Sequence, residues 1–409
     1  MEAVTGAERE VGTGSSYADA AEQNPRAASF FCEPDITMIP PTFINTYEQF
    51  EAMCARWLTL DAIGLDTEFE RTRTYYSRPA LLQIFDGDAI CLIDPLSIDD
   101  FSPLAEVLQR PGIIKVMHAS EGDNEILEQL SGIEPRPIFD TQLAAAFAGY
   151  GYSLGYRALV KLLLELDLAK QETRSDWLRR PLSEAQIAYA ALDVAHLLPM
   201  YERLQRELAE LGRGGWLREE TERLQQRRAT DRDPCRAYLR IRHTRRMEPC
   251  QLALLRELAA WRETEARERN LPRQMIVKDA PLVAIAESAP ASAAQLSDIP
   301  ELSENALRRY AQALLAAVGR AESHQPPPRP SPVMERRCLP WLKALKRLVG
   351  RTAEHLNMPA PLLVQTRTLE ALVSGRAHGE QAIPEELRGW REEVIGTALM
   401  TELRRLAGA

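Results

Sequence analysis

Short apolar runs alternate with segments of helical period from Ile36 to about Pro199, and the strand-like runs stop after residue 211. Ile36–Ile39 reads as a short strand. Thr46-Tyr47-Glu48-Gln49 has the form of a capping box and opens a helix running to about Leu60. Ile63–Phe69 is a strand, followed by Leu81–Phe85 and Ile90–Ile93, with Asp86-Gly87 as the hairpin turn between the last two. A helix over Pro103–Leu108 leads to a buried strand, Ile113–Met117. Helices then follow at Asp123–Leu130, Thr141–Ala148, Tyr156–Leu164 and Glu184–Leu211. Hairpin strands first, then strands alternating with helices, predict an α/β fold with a mixed sheet.

The remainder of the chain reads as helical. His324-Gln325-Pro326-Pro327-Pro328-Arg329-Pro330-Ser331-Pro332 is a proline-rich, semi-rigid linker that divides it. The two pieces repeat each other. Ala266, Asn270 and Pro272 recur as Ala353, Asn357 and Pro359, and the same offset of 87 carries Leu258 to Leu345, Leu282 to Leu369 and Ile285 to Leu372. Two copies are too few for a solenoid, so two small helical domains are expected.

Composition adds little beyond a soluble globular class: 409 residues, 45% hydrophobic and 27% charged, suited to two or three domains. No run approaches the ~20 apolar residues of a membrane span, and Met1 to Cys32 lacks the hydrophobic block of a secretory signal and reads as a disordered tail. The six cysteines (32, 54, 91, 235, 250, 338) form no CxxC pair, which argues against a zinc site or disulfide scaffold and fits a reducing cytoplasm. The net charge of −9 does not mark a nucleic-acid binder. Charge is unevenly placed, however: Arg213 to Arg246 holds eleven arginines and five acids. On charge alone that stretch reads as a solvated helix and connector.

Chemistry concentrates in four places. In Ile63-Gly64-Leu65-Asp66-Thr67-Glu68-Phe69, alternation puts Asp66 and Glu68 side by side on one face of an otherwise apolar strand. Two carboxylates that close repel unless a cation lies between them, and Mg²⁺ and Mn²⁺ take such oxygen ligands. A polar edge strand would show the same pattern. Tyr189 and Asp193, four apart, share a helix face with small neighbours Ala188, Ala190 and Ala191; alone they equally describe a surface pair. Asp123 opens a helix after a buried strand, where an acid also suits the helix dipole. Asp140 reads as an N-cap and His118 as a satisfied residue at a strand end.

It is their order that carries the information. Asp-Thr-Glu-Phe on a strand, His118-Ala119-x-x-x-Asp123, Asp140-Thr141-Gln142 and Tyr189-x-x-x-Asp193 together resemble the DEDDy exonuclease family, and within it ribonuclease D. Phe69-Glu70-Arg71-Thr72-Arg73-Thr74-Tyr75-Tyr76 and Ser175-Asp176-Trp177-Leu178-Arg179-Arg180-Pro181-Leu182 resemble that family's flanking segments. Trp261-Arg262-x-x-x-Ala266-x-x-x-Asn270-Leu271-Pro272 looks like an HRDC domain. In the second copy Leu348 and Val349 replace the Trp-Arg pair, which puts nucleic-acid contact by that copy in doubt.

The resemblance implies a ribonuclease H-like mixed-sheet exonuclease domain followed by two small all-α HRDC-like domains. The expected division is a disordered tail over 1–34, exonuclease over 35–211, a basic helical connector over 212–247, HRDC over 248–322, a Pro-rich linker over 323–333 and a degenerate HRDC-like domain over 334–409. It implies hydrolysis of RNA from the 3′ end to 5′-mononucleotides with two divalent cations, Mg²⁺ or Mn²⁺. Asp66 would bridge both, Glu68 and Asp193 would complete the site holding the attacking water, and Asp123 would help hold the second, through waters. Tyr189 would orient the attacking water and help take its proton, with most of the activation left to the metal. Arg71, Arg73, Tyr75 and Tyr76 are candidates for gripping the RNA strand. The expected partners are transfer-RNA precursors or other structured RNA with 3′ tails, with no membrane partner. The sequence leaves the oligomeric state unknown, with a monomer expected. A DNA 3′→5′ exonuclease and a non-catalytic nucleic-acid scaffold are the rival readings. RNA against DNA of one sequence separates the first, and the presence of all four carboxylates with Tyr189 argues against the second.

Overall fold

β2 (Ala62–Glu70) is the longest strand, and the rest of the sheet is arranged about it. The computed structural model describes residues 39–168, 175–242, 244, 247–321, 325–327, 334–377 and 382–408. The tail over 1–34, most of the Ile36–Ile39 candidate and all but Gln325, Pro326 and Pro327 of the Pro-rich linker lie outside them. Ile39 itself carries no strand.

Among the described residues β1 (Thr42–Ile44), β2, β3 (Arg78–Phe85), β4 (Ile90–Ile93), β5 (Ile114–Met117) and β6 (Ile138–Asp140) form one sheet in the order β1-β4-β3-β2-β5-β6. β3 pairs antiparallel with β2 on one side and β4 on the other, whereas β1, β5 and β6 join in parallel. The expected mixed sheet is present. β1 and β6 were not anticipated: each is three residues long, too short for alternation to register. In the β3–β4 hairpin, Asp86 Oδ1 accepts from Ala89 N at 2.7 Å and Asp88 N at 3.0 Å, and Gly87 takes φ 96°.

α1 (Tyr47–Trp57) and α2 (Ser102–Gln109) cover one face of the sheet. Phe50, Cys54, Trp57, Leu104 and Leu108 pack there with Ile63, Leu65, Leu82 and Ile84. Thr46 caps α1 by accepting from Gln49 N. α3 (Glu121–Ser131), α4 (Thr141–Ala148) and α5 (Tyr156–Leu164) follow. The single helix expected over Glu184–Leu211 is two, α6 (Glu184–Ala195) and α7 (Leu197–Glu210), with His196 at φ −100°, ψ 4° between them. Pro199 explains the break: it has no N–H to donate to Ala195 O, and its ring crowds that carbonyl.

The stretch read as a connector is built into the nuclease. α8 (Gly214–Asp231) sends Gln225 Nε2 to Pro135 O at 2.9 Å and Arg228 to Glu128, which Arg232, just past the helix end, also meets. Arg213 is buried and donates to Phe147 O and Leu356 O, both at 2.6 Å. Arg223 and Arg227 are paired within the helix. Part of the arginine surplus, Arg213, Arg228 and Arg232, fastens elements together, while Arg218, Arg227, Arg236 and Arg242 are exposed as a solvated surface would have them.

α9 (Pro249–Glu268), α10 (Arg273–Ile276), α11 (Asp279–Ser288), α12 (Ala293–Ser297) and α13 (Glu304–Ala321) form the first helical unit. α14 (Leu339–Leu356), α15 (Ala360–Leu363), α16 (Thr366–Ala377) and α17 (Thr397–Gly408) form the second. The 87-residue offset holds in three dimensions. α10 and α15 coincide end for end under it, and Asn270 and Asn357 both turn left-handed, at φ 49° and 48°. Leu271 N and Met358 N donate back to Ala266 O and Ala353 O, both at 2.9 Å. Arg262 is buried and donates to Val277 O and Asp279 Oδ1 at 2.8 Å, so in this fold it is a structural group. Its replacement by Val349 therefore does not speak against RNA contact by the second copy. There Arg391 plays the comparable part, donating to Leu362 O and Leu363 O at 2.9 Å and pairing with Glu220 of α8. Trp390 stacks on Trp216 beside it, with ring centroids 5.3 Å apart.

Candidate active site

Ile63 and Leu65 point into the apolar cluster under α1 and α2, so Gly64, Asp66 and Glu68 share the opposite face of β2. A Cβ on Gly64 would stand 3.1 Å from Leu197 Cβ and 3.4 Å from Val194 O. The glycine thus lets the α6–α7 junction settle on the strand, which brings Asp193 down beside Asp66. Tyr156 holds the same junction: its hydroxyl donates to Leu192 O at 2.7 Å and accepts from His196 N at 3.2 Å.

Asp123 arrives from the other side. The β2–β5 ladder covers only Ala62–Gly64, leaving the edge of β2 beyond it open to the start of α3. Thr67 Oγ1 donates to Asp123 Oδ1 at 2.5 Å, and the Thr67 N–H adds a second bond. The turn into α3 is fixed by Asp140, which accepts from Ala119 N at 3.2 Å and Ser120 N at 2.9 Å while also capping α4. His118 lies 2.9 Å from Thr141 Oγ1 and 3.1 Å from Leu154 O, a satisfied residue as expected.

Four carboxyls from β2, α3 and α6 thereby share one field. Asp66 is driven well above the usual carboxylate range by burial, then by Asp123, Asp193 and Glu68. Burial, followed by Asp193 and Asp123, lifts Glu68 to about 8. Burial lifts Asp193 to about 7 and Asp123 to about 6, the latter against the pull of the Thr67 hydrogen bonds. The Tyr189 phenol is pushed above its ordinary value by burial and then by Asp193, and it donates to Asp193. It therefore keeps its proton at neutral pH.

This is an all-oxygen donor set, the chemistry that suits a hard divalent cation, with Arg157 the positive charge that pulls on Asp193. Among the described residues no three His, Cys, Asp or Glu side chains stand gathered as a ready-made cage. A cation would therefore draw the carboxylates together against the hold of Thr67 and Tyr189. A further polar group points the same way. Gln83 of β3 lies directly across from Asp66, is fully buried, and its amide has no hydrogen-bond partner. Gln83 escaped the sequence reading because it sits in an apolar run, and Tyr156 because it stands at the start of a helix far from the motifs. Trp177, 5.9 Å from the Tyr189 ring, belongs to a segment whose resemblance was noted without a role.

The four expected RNA contacts do not behave alike. Arg73 and Tyr76 are exposed, and Arg71 is half-exposed beside Glu125 at 3.4 Å. Tyr75 is engaged elsewhere: its partly buried ring packs against the core of the first helical unit and its hydroxyl is bound by Glu263, Arg267 and Arg273, which counts against its expected role as an RNA contact.

The raised carboxyls set a pH dependence. Cation-free folded protein keeps protons that the unfolded chain has already released above its ordinary values of 3.8 and 4.5. Their contribution to stability is complete in acid and is lost as pH rises through about 6, 7 and 8. In chelator, the unfolding midpoint should fall by about 5 °C or more between acid and mildly alkaline solution. Excess divalent cation should flatten that fall, and a melting series with and without chelator measures it. A midpoint independent of pH in chelator would show that the carboxyls do not share a field.

The family described as 3′-5′ exonuclease matches residues 41–209, and the family described as HRDC domain matches residues 251–318. Ribonuclease D of Pseudomonas paraeruginosa is 41% identical over 355 residues, spanning 86% of this chain and 94% of that protein. Ribonuclease D of Escherichia coli is 36% identical over 365 residues, spanning 87% and 96%. The crystal structure of E. coli RNase D, described as an exoribonuclease involved in structured RNA processing, superposes with a TM-score of 0.78 at 35% identity, covering 89% of this chain and 99% of that one.

Proposed function

Because the chain belongs to the ribonuclease D family, and is therefore a divalent-metal-dependent 3′→5′ exoribonuclease, we propose that Asp66, Glu68, Asp123, Asp193 and Tyr189 are its catalytic constellation. Its substrates in this reading are structured RNAs with single-stranded 3′ tails, transfer-RNA precursors among them. The observation that carries the proposal is the convergence of four carboxyls from three elements, each raising another's affinity for protons.

The four carboxylates would hold two cations, Mg²⁺ or Mn²⁺. When bound, these polarise the attacking water and neutralise charge on the scissile phosphodiester. The chain's own groups do the positioning. Thr67 fixes Asp123 by two hydrogen bonds, and Gly64 and Tyr156 seat the helix end that carries Asp193. Tyr189, with its proton held on, orients the water and is not the base that removes its proton. Arg71 and Arg73, exposed on the loop leaving β2, would meet phosphates of the strand.

The test is a 5′-labelled RNA with a single-stranded 3′ tail, incubated with and without chelator. Stepwise shortening that chelator stops is expected. Tyr189→Phe should lower kcat by about 10- to 100-fold, with Mn²⁺ affinity by calorimetry nearly unchanged. Loss of Mn²⁺ binding in that variant would make Tyr189 part of the cation site instead.

A further inference from the structure

Loop 71–77 joins β2 to β3, so it continues directly from the strand that carries Glu68. Within itself it has little to hold it: Thr74 Oγ1 donates to Tyr76 O at 2.6 Å, and Thr72 Oγ1 to Glu70 at 2.8 Å. Its conformation is set from outside, by the first helical unit. Tyr75 donates to Glu263 Oε1 at 2.5 Å and accepts from Arg267 Nε at 3.0 Å and Arg273 Nη2 at 3.1 Å. The same two guanidiniums lie over its ring, 5.7 and 4.8 Å from the centroid. Glu263 is 1% exposed, and Arg267 and Arg273 both pair with it. One residue on, Tyr76 N donates to Asn270 Oδ1 at 3.0 Å, and Asn270 holds a left-handed turn at φ 49°.

The inner side of the loop touches the elements of the active site. Arg71 spans from Tyr75 O, at 3.3 Å, to Glu125 Oε2 on α3, at 3.4 Å. Phe69, at the root of the loop, lies against the backbone of Gly122: a Cβ there would stand 3.2 Å from the Phe69 ring. Gly122 and Glu125 flank Asp123. An unbroken series of contacts thus runs from buried Glu263 through Tyr75 and Arg71 to the helix end bearing one candidate ligand, and through Phe69 to the strand bearing two.

We propose that the first helical unit is part of the catalytic apparatus as well as any RNA-holding surface: Tyr75 and Asn270 are positioning residues that fix loop 71–77 and, through Arg71 and Phe69, the placement of Asp123 relative to Asp66 and Glu68. The proposal rests on the site reading above. A rigid link of this kind matters because displacement of a reacting group by a fraction of an ångström to 1 Å lowers turnover steeply.

The experiment is steady-state cleavage of a single-stranded RNA trinucleotide with saturating Mg²⁺, by the full chain and by Tyr75→Phe and Asn270→Gly. Phenylalanine keeps the ring and removes only the hydroxyl. Glycine keeps the left-handed turn and removes only the acceptor for Tyr76 N. Both variants should lose about tenfold in kcat, with KM within about twofold of the parent. A purely structural role would lower the unfolding midpoint and leave the kcat of folded enzyme unchanged, which overturns the proposal. A loss confined to KM overturns it too, by making the loop an RNA contact. Should Tyr75→Phe fail to fold, Asn270→Gly decides alone. Cleavage of the trinucleotide by the parent chain, and its loss in Asp66→Asn, report separately on the site reading.

Discussion

Asp66→Asn should reduce trimming of a 5′-labelled RNA by about a thousandfold or more, yet make the cation-free protein more resistant to heat. The two effects share one cause. Asp66 stands among Asp123, Asp193 and Glu68, and burial denies it the solvation that would ease the repulsion. Asparagine is the same size, but it cannot offer a charge to a cation. Removing the charge removes both the ligand and the repulsion. Turnover and melting in chelator, run on the same preparation, test the pair of expectations. Turnover near the parent's would take Asp66 out of the site. A lower midpoint in chelator would mean that the carboxyls are not straining the fold.

Arg391→Ala should destabilise the chain by about 3 kcal/mol, the largest loss expected from a single side chain remote from the site. Arg391 is 5% exposed and serves three acceptors: Leu362 O, Leu363 O and the Glu220 carboxylate. Burial alone would push Glu220 upward, but Arg391 and Arg223 together bring it below its ordinary value. With alanine, Glu220 keeps only half-exposed Arg223, at 2.7 Å, and two buried carbonyls lose their donors. Urea unfolding of the two proteins measures the loss. A difference within ~0.5 kcal/mol would show that this contact is incidental. Glu220→Gln should restore part of the stability in the double variant, since the uncompensated charge is then gone.

The catalytic strand was legible because its chemistry contradicts its surroundings: two acids at alternate positions of an apolar run have few structural explanations. Tyr189 and Asp193 were legible only as part of an order of motifs. The 87-residue repeat was legible because helix packing and a left-handed asparagine constrain the same positions twice. Other features were not, each for a physical reason. Three-residue β1 and β6 owe their existence to neighbouring strands and not to their own pattern. The break at His196 required weighing one proline against a long helical period. Gln83 gives no sign in Leu81–Phe85 that it faces Asp66 across the sheet, because register is set by the tertiary fold. Tyr75 and the arginines after Arg213 gave no sign of their partners. The first was assigned to a ligand and the others to solvent, whereas buried Glu263 holds Tyr75 and partly buried Glu128 holds Arg228 and Arg232.

The Trp216–Trp390 stack and the Glu220–Arg391 pair join residues about 170 positions apart, 171 for the ion pair. During synthesis at ~5–20 residues per second, the nuclease half waits about 10–35 s for its partner to be made. Until then a bare indole and a carboxylate without its main guanidinium face the solvent on a core that already holds every candidate catalytic group. A message truncated shortly before Trp390 would therefore yield a chain with a complete active site and an open, adhesive flank. Such a product should be recognised by holdase chaperones while still able to cut RNA, which ties the quality control of this enzyme to the segment that carries Trp390 and Arg391.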